Sequence, residues 1–328
     1  MLRRTITRSI KFAFLGLALG SSLAVAAATY PDRPIQLVVP YPPGGTSDSV
    51  ARLLAKGMAE KLGQPIVVNN KGGGGTTIGT ASVARSAPDG YTLLLTATPF
   101  AINGALYKSL SYDTEKDFTP VVAIASTPMV LIVKADSNIQ SLQNMVELAK
   151  KEPGKYTFGT AGLGGSAHLS MERVQHNKEI KLNHIPYKGS APAVSDLLAG
   201  QIDMALDTLF LTQPHVNAGK ARAIAQGGAE RSKLMPSVPT FIEAGLTDFT
   251  STAWFVMMAP AGTPEEAVKL LNTTANEVLR SEAVQSALAA QGLEVLGGSP
   301  QDAAAFLKKE AEGYGTTIRI TGLALENQ

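Results

Sequence analysis

Short β-branched runs alternate along this chain with stretches of helical period, and the turns joining them are rich in glycine and hydroxyl side chains. That alternation builds βαβ units around a largely parallel sheet, so the fold class is α/β. The run from Ile35 to Pro40 reads as a buried strand, and YPPGGTSD then turns the chain. Thr46 or Ser47 is placed to cap a helix whose apolar positions are Val50, Leu53, Leu54, Met58 and Leu62, with Gly63 as its stop. A strand follows at Ile66, then a glycine run entering a short helix near Thr77. The Pro88-Asp89-Gly90 turn precedes strand YTLLLTA.

The second half repeats the theme without a fixed period, which describes similar units and not a repeat array. MVLIVKA is a strand, Ser141 to Lys151 a helix, and YTFGTAG a strand opening into LGGSAHLSMERV. Strand LNHIPYK meets GSAPAVSDLLAGQ, where Ser190 caps, Pro192 suits the first turn and Gly200 ends the helix. IDMALDTL, ARAIAQGG and STAWFVMMAP are further strands. Helices over Pro264–Arg280, Ser281–Ala290 and Pro300 to Gly322 close the chain. No Ser/Gly/Pro linker separates independent domains. Two lobes would therefore be joined through VVAIASTPMVLIV and FTSTAWFVMMAP, and two crossings make a hinge.

The first residues have a different character. Arg3, Arg4, Arg8 and Lys11 precede an apolar run from Phe12 to Leu19, and small residues follow to Ala24-Val25-Ala26-Ala27-Ala28. That order is the pattern of a secretory signal peptide over residues 1–28, cleaved near Ala26 or Ala28. Without those four cations, the 29 Lys and Arg become 25 against 27 Asp and Glu. A near-balanced chain without basic blocks lacks the footprint that nucleic acid requires. There is no Cys, so burial alone must hold the fold. Chains of this size bury about three quarters of their unfolded surface, which is sufficient.

Function is expected in the loops. Tyr41 to Asp48, Gly72 to Thr77, Ala161 to His168 and Lys188 to Ala191 put glycine-rich backbone at strand-to-helix turns. Early helical N–H groups there lack intrahelical partners and the dipole is positive, which suits an anion. Thr46, Ser166 and Ser190 add hydroxyl donors. Turn and cap chemistry alone accounts for any one such loop; several in one chain favour a ligand. Hydrogen bonds to a charged group contribute roughly 1.5 to 3 kcal/mol each, so four or five leave micromolar binding without an arginine clamp. Tyr41 and Phe100 stand beside polar loops. Asp207 interrupts an apolar strand and must brace a loop or meet the ligand. Trp254 reads as core or hinge packing.

Rival chemistries fit less well. Gly162 to Ala167 matches G-x-G-x-x-A, yet no acidic residue ends the next strand to hold a ribose. No glycine loop ends in Gly-Lys-Ser/Thr. The four His residues show no metal-ligand spacing and no cofactor is expected. Ser166 with His168 suggests a secreted serine hydrolase as the alternative, but GGSAH lacks the closing glycine of a nucleophile elbow.

Four blocks, in order and spacing, carry a resemblance: YPDRPIQLVVPYPPGGTSDSVAR, PDGYTLLL with FAINGALY, FGTAGLGGSAHLS, and IPYKGSAPAVSDLLAGQIDMALD. Over nearly all of the mature length the chain resembles the Bug-type periplasmic receptors of tripartite tricarboxylate transporters. The resemblance implies a type II periplasmic-binding-protein fold, two lobes with a cleft and a two-segment hinge. Lobe one would span 29–127 plus 251–328, and lobe two 128–250. The implied role is to capture a small carboxylate in the periplasm, without chemistry, for a membrane permease or for sensing, as a monomer. Tyr41, Gly45, Thr46 and Ser47 would grip one carboxylate against Ala161, Gly162, Gly165, Ser166 and His168, partly through water. Thr98, Phe100, Ser190, Ala191, Asp207 and Thr208 would surround the distal end. Phe100 departs from the polar residue or His of relatives and favours an apolar ligand body. Tyr314 departs from a usual Trp, on a helix expected to lie away from the cleft.

Overall fold

The structure, a computed structural model, describes residues 30–323. The expected leader and its cleavage site lie outside the described residues. In chain order the first elements are β1 (Ile35–Val39), α1 (Thr46–Leu62), β2 (Ile66–Asn70), a 3-10 turn (Gly74–Thr76), α2 (Thr77–Ala84), β3 (Thr92–Ala97), α3 (Pro99–Leu106) and β4 (Phe118–Lys134). Next come α4 (Leu142–Lys151), β5 (Thr157–Thr160), α5 (Ser166–Lys178), β6 (Asn183–Pro186), α6 (Ser190–Leu198), β7 (Met204–Thr208), α7 (Leu209–Asn217) and β8 (Ala221–Gln226). The chain closes with β9 (Thr252–Pro260), α8 (Glu265–Arg280), α9 (Glu282–Ala290), β10 (Glu294–Gly297) and α10 (Pro300–Thr321).

β4 organises the molecule. Its first part pairs with β9 and β10, in the order β2-β1-β3-β9-β4-β10, and its last part pairs with β7 and β8, in the order β8-β4-β7-β5-β6. The exchange of partners falls where Pro128 pairs with Thr252 and Met129 with Thr208. Each half is a doubly wound lobe, with parallel strands β2-β1-β3 in one and β6-β5-β7 in the other. The inner strands β1, β3, β5 and β7 are largely buried, which explains runs as apolar as LVV in β1 and LLL in β3. Lobe one carries one apolar layer of Leu37, Val39, Leu54, Met58 and Leu271, and another of Val38, Leu94, Phe100 and Trp254. Lobe two is filled by Leu131, Phe158, Met171, Phe241 and Phe249 on one face and by Ile132, Leu197 and Met235 on the other.

Where β4 changes partners, three backbones meet. Met129 N donates to Ser251 O, Ser251 N to Gly227 O, and Gly227 N to Met129 O, at 2.7 to 2.9 Å. A Cβ at Gly227 would collide with the Ser251 carbonyl, so the junction requires glycine. α10 crosses the boundary as well. It packs on α3, β4 and, in lobe two, α5, and Ile318 joins Ile102, Leu106 and Leu169 in one apolar cluster. Tyr314 is half-buried beside Glu310, Thr98 and the lobe-two Arg173, and the burial of its hydroxyl pushes that group far above the usual tyrosine range. The helix was expected to lie away from the cleft and to affect packing, and its packing extends to lobe two. Trp254 is core, as expected, and its Nε1 donates to Glu310 at 2.8 Å.

Candidate functional site

In sheets of strand order 2-1-3, ligands collect outside the carboxyl ends of the strands at the switch point. The loop after β1 and the loop after β5 occupy those places in the two lobes. In lobe one, Gly44 takes a positive φ of 88° and Gly45 is the extended N-cap of α1. In lobe two, Gly164 takes a φ of 72° and Gly165 is the extended N-cap of α5. Thr46, Ser47, Ser166 and Ser190 were expected near cap positions, but Gly45, Gly165 and Gly189 are the caps and none of the three helices has a side-chain cap bond. The hydroxyls are freed for other work. Thr46 Oγ1 and Thr208 Oγ1 share a buried hydrogen bond of 2.8 Å between the lobes, and Ser190 faces the Asp207 carboxylate.

The first ladder bonds of the two helices run from Ser49 N to Gly45 O and from Leu169 N to Gly165 O. The amides of Thr46 and Ser47, and of Ser166 and Ala167, therefore stand outside the helical ladders, as helix starts require. One amide in each loop is held from within. Gly44 N donates to Asp48 Oδ2, and Gly164 N to His168 Nδ1, each at 3.0 Å. Asp48 is further tied to Arg52, whose guanidinium also reaches Asn70, and Asn70 Nδ2 donates to Tyr41 O. Burial alone would raise the Asp48 pKa, but the bonds from Arg52, Gly44 and Asn70 outweigh it and keep the carboxyl below the usual range. Tyr41 offers backbone and ring here, since its hydroxyl is buried and burial drives its pKa far up.

Lobe two has a second support behind its loop. Gly189 N donates to Ala161 O, Thr160 Oγ1 donates to Gly162 O, and Thr160 Oγ1 lies 2.7 Å from His184 Nε2. The His168 and His184 rings stack at 3.9 Å, with Phe158 beyond. Burial, with His168 as a smaller cause, pulls the His184 pKa down to about 3. Asp207 Oδ1 accepts from Thr208 N at 2.7 Å, and burial raises its pKa against the bonds from Ser190 and Thr208. The carboxylate thus braces the end of β7. A Cβ added at Gly189 would stand 3.8 Å from Pro42 of lobe one, so the loop after β1 comes near the start of α6.

Two predicted residues lie deeper. Phe100 sits on α3, 3% exposed, edge-on to Phe118 in the lobe-one core. Thr98 is fully buried and accepts from Trp254 N at 3.3 Å. Ala191 is exposed at the start of α6. Asp48, Thr160, His184 and Glu172 were not anticipated. A signal for Asp48 was present, because GGTSD and GGSAH place a polar side chain four residues after the first glycine in both loops. Both ring nitrogens of His168 are directed away from Ser166, one to Gly164 and the other to Glu172 at 3.4 Å, which removes the basis of a hydrolase. An open depression of about 830 Å³ on lobe one, lined by Tyr107, Asp113 and Lys308 among others, contains none of the predicted residues.

Residues 50–323 match the family model described as the tripartite tricarboxylate transporter family receptor, TctC. The chain belongs to that family. It is 40% identical over 309 residues to Protein BugT of Bordetella pertussis, covering 94% of this chain and 95% of that protein. Among solved structures it is similar to R. palustris Rpa4515 with adipate, at 34% identity and a TM-score of 0.87, covering 91% of this chain and 100% of that one. It is also similar to MatC (Rpa3494) from Rhodopseudomonas palustris with bound malate, at 31% identity and a TM-score of 0.83, covering 88% and 100%. Members of the family are solute-binding receptors and not enzymes.

Proposed function

We propose that this receptor captures a small carboxylate between its lobes and releases it unchanged. The observation that carries the reading is the pair of matching glycine loops, whose helix-start amides stand outside their ladders where Thr46 meets Thr208. An ionised carboxylate has about four lone-pair sites, enough to accept from both lobes at once. In this reading Tyr41, Gly45, Thr46 and Ser47 oppose Ala161, Gly162, Gly165 and Ser166, with His168 behind them. Ser190, Ala191, Asp207 and Thr208 shape the distal end, partly through water, while Thr98 and Phe100 stand in the lobe-one core. The ligand classes that fit are dicarboxylates, acidic amino acids and aromatic acids, and the adipate and malate of the two relatives favour the first.

The lobes in this proposal are 29–127 plus 251–328 and 128–250. The leader directs export to the periplasm, where a monomer hands its ligand to a membrane permease or reports its presence. Calorimetry of the purified protein with a panel of these acids tests the reading. One class should bind near micromolar, and Ser166→Ala should weaken it. If no anionic compound in the panel gives binding heat, the reading falls.

A further inference from the structure

The lobe-two loop is held from the sheet side by a chain of donors whose order the structure fixes. Phe158 and Thr160 share one face of β5, and the pairing of Phe158 with His184 sets the imidazole beside them. There the ring stacks against both Phe158, at 4.7 Å, and His168, at 3.9 Å. Thr160 Oγ1 is 2.7 Å from His184 Nε2 and 3.0 Å from Gly162 O, and Thr160 is buried, so bulk water does not compete for these bonds. We propose that His184 and Thr160 are positioning residues for ligand capture: a relay from Nε2–H to Oγ1–H to Gly162 O turns the Gly162–Leu163 peptide so that the Leu163 amide faces the cleft. The effect on ligand rests on the carboxylate reading above; the direction of the relay does not.

A hydroxyl has one proton and two lone pairs. The Gly162 carbonyl can only accept, so the Thr160 proton goes to it; the reverse order would set oxygen lone pairs against each other at 3.0 Å. His184 Nε2 must then be the donor, which places the single proton of the neutral ring on that nitrogen. Burial, with His168 as the smaller cause, keeps the ring neutral at ordinary pH. The second Thr160 lone pair faces Gly162 N at 3.4 Å, so every capacity of the hydroxyl is used. In a trans peptide the carbonyl and the next N–H point in opposite directions. Gly162 O is drawn back toward β5, so Leu163 N points away from the sheet, past the carboxyl ends of its strands, where ligands collect. That amide has no hydrogen-bond partner among the described residues. Gly189 N ties the preceding carbonyl, Ala161 O, so two successive peptides of the loop are held by their carbonyls.

Nitrogen-15 NMR of the ligand-free protein tests the relay directly. The His184 ring should be the Nε2–H tautomer; an Nδ1–H tautomer overturns the proposal. Thr160→Val keeps the side-chain shape without the hydroxyl and should move the Leu163 amide signal, whereas Thr160→Ser should leave it in place. A Leu163 signal equal in all three proteins overturns the proposal. In parallel, adipate binding is measured by calorimetry for the native protein, these two variants, His184→Phe, which keeps the stack and removes the donor, and the double variant of His184→Phe with Thr160→Val. Thr160→Val and His184→Phe should each weaken adipate roughly tenfold, the equivalent of one hydrogen bond, and Thr160→Ser should retain native affinity. The double variant should bind no more weakly than Thr160→Val alone, because both changes cut one relay. Losses that multiply to roughly a hundredfold, or native affinity in Thr160→Val, overturn the proposal. If adipate binds none of these proteins, native included, the carboxylate reading fails, and the tautomer and the Leu163 signal decide the relay.

Discussion

At the scale of single residues, the structure turns on positions where one atom more or less changes a backbone path. Gly227 is one: any side chain would strike the Ser251 carbonyl within the three-way junction. Gly227→Ala should destabilise the protein by about 1 to 3 kcal/mol, as overpacking does, and an unchanged urea midpoint would refute that account. Thr46 is another. Thr46→Val keeps the shape and removes the interlobe hydroxyl bond to Thr208. The protein should fold as before and bind its ligand roughly fivefold more weakly, the worth of about 1 kcal/mol. Calorimetry checks this, and undiminished affinity would mean that the bond does not contribute to the closed form.

At the scale of elements, β6 and α10 have consequences that can be measured. His184 on β6 stays neutral in the folded chain down to about pH 3, because it is buried and faces His168, whereas an unperturbed histidine titrates near 6.5. Between those values the unfolded chain binds more protons, so stability present above the higher value is lost as pH falls toward the lower. The urea midpoint should drop between about pH 7 and 4, and His184→Phe should flatten part of that slope. An identical slope in both proteins would exclude His184 as the source. Ile318 on α10 packs across the lobes with Leu169. Ile318→Ala should favour the open form, seen as a larger radius of gyration in scattering.

The same elements show what could be read in advance. β1, β3 and β9 were legible because strands buried on both faces are unbroken apolar runs. α3 and α7 were missed: they are short, follow their strands directly, and lack capping side chains, and α7 carries Pro214 within it. The glycine loops were legible as turn chemistry, yet their caps were misread because a hydroxyl beside two glycines resembles an N-cap when it begins the helix instead. The His184 and Thr160 support, and the reach of α10 to α5, depend on tertiary contacts that no local pattern encodes.

At the scale of the whole molecule, the Thr46 to Thr208 hydrogen bond ties one half to the other. Closure is stabilised by whatever ligand both lobes grip. Scattering should therefore report an expanded ligand-free protein that contracts on saturation with a bound acid; profiles that do not change would argue against a hinged receptor. The path of β4 adds a constraint on such motion. One unbroken strand of 17 residues belongs to both sheets, so neither half can be cut out as a module without taking a strand from the other. A chimera that exchanges the inserted half between relatives must splice inside that strand and keep its pairing frame, or every side chain beyond the splice turns to the wrong face.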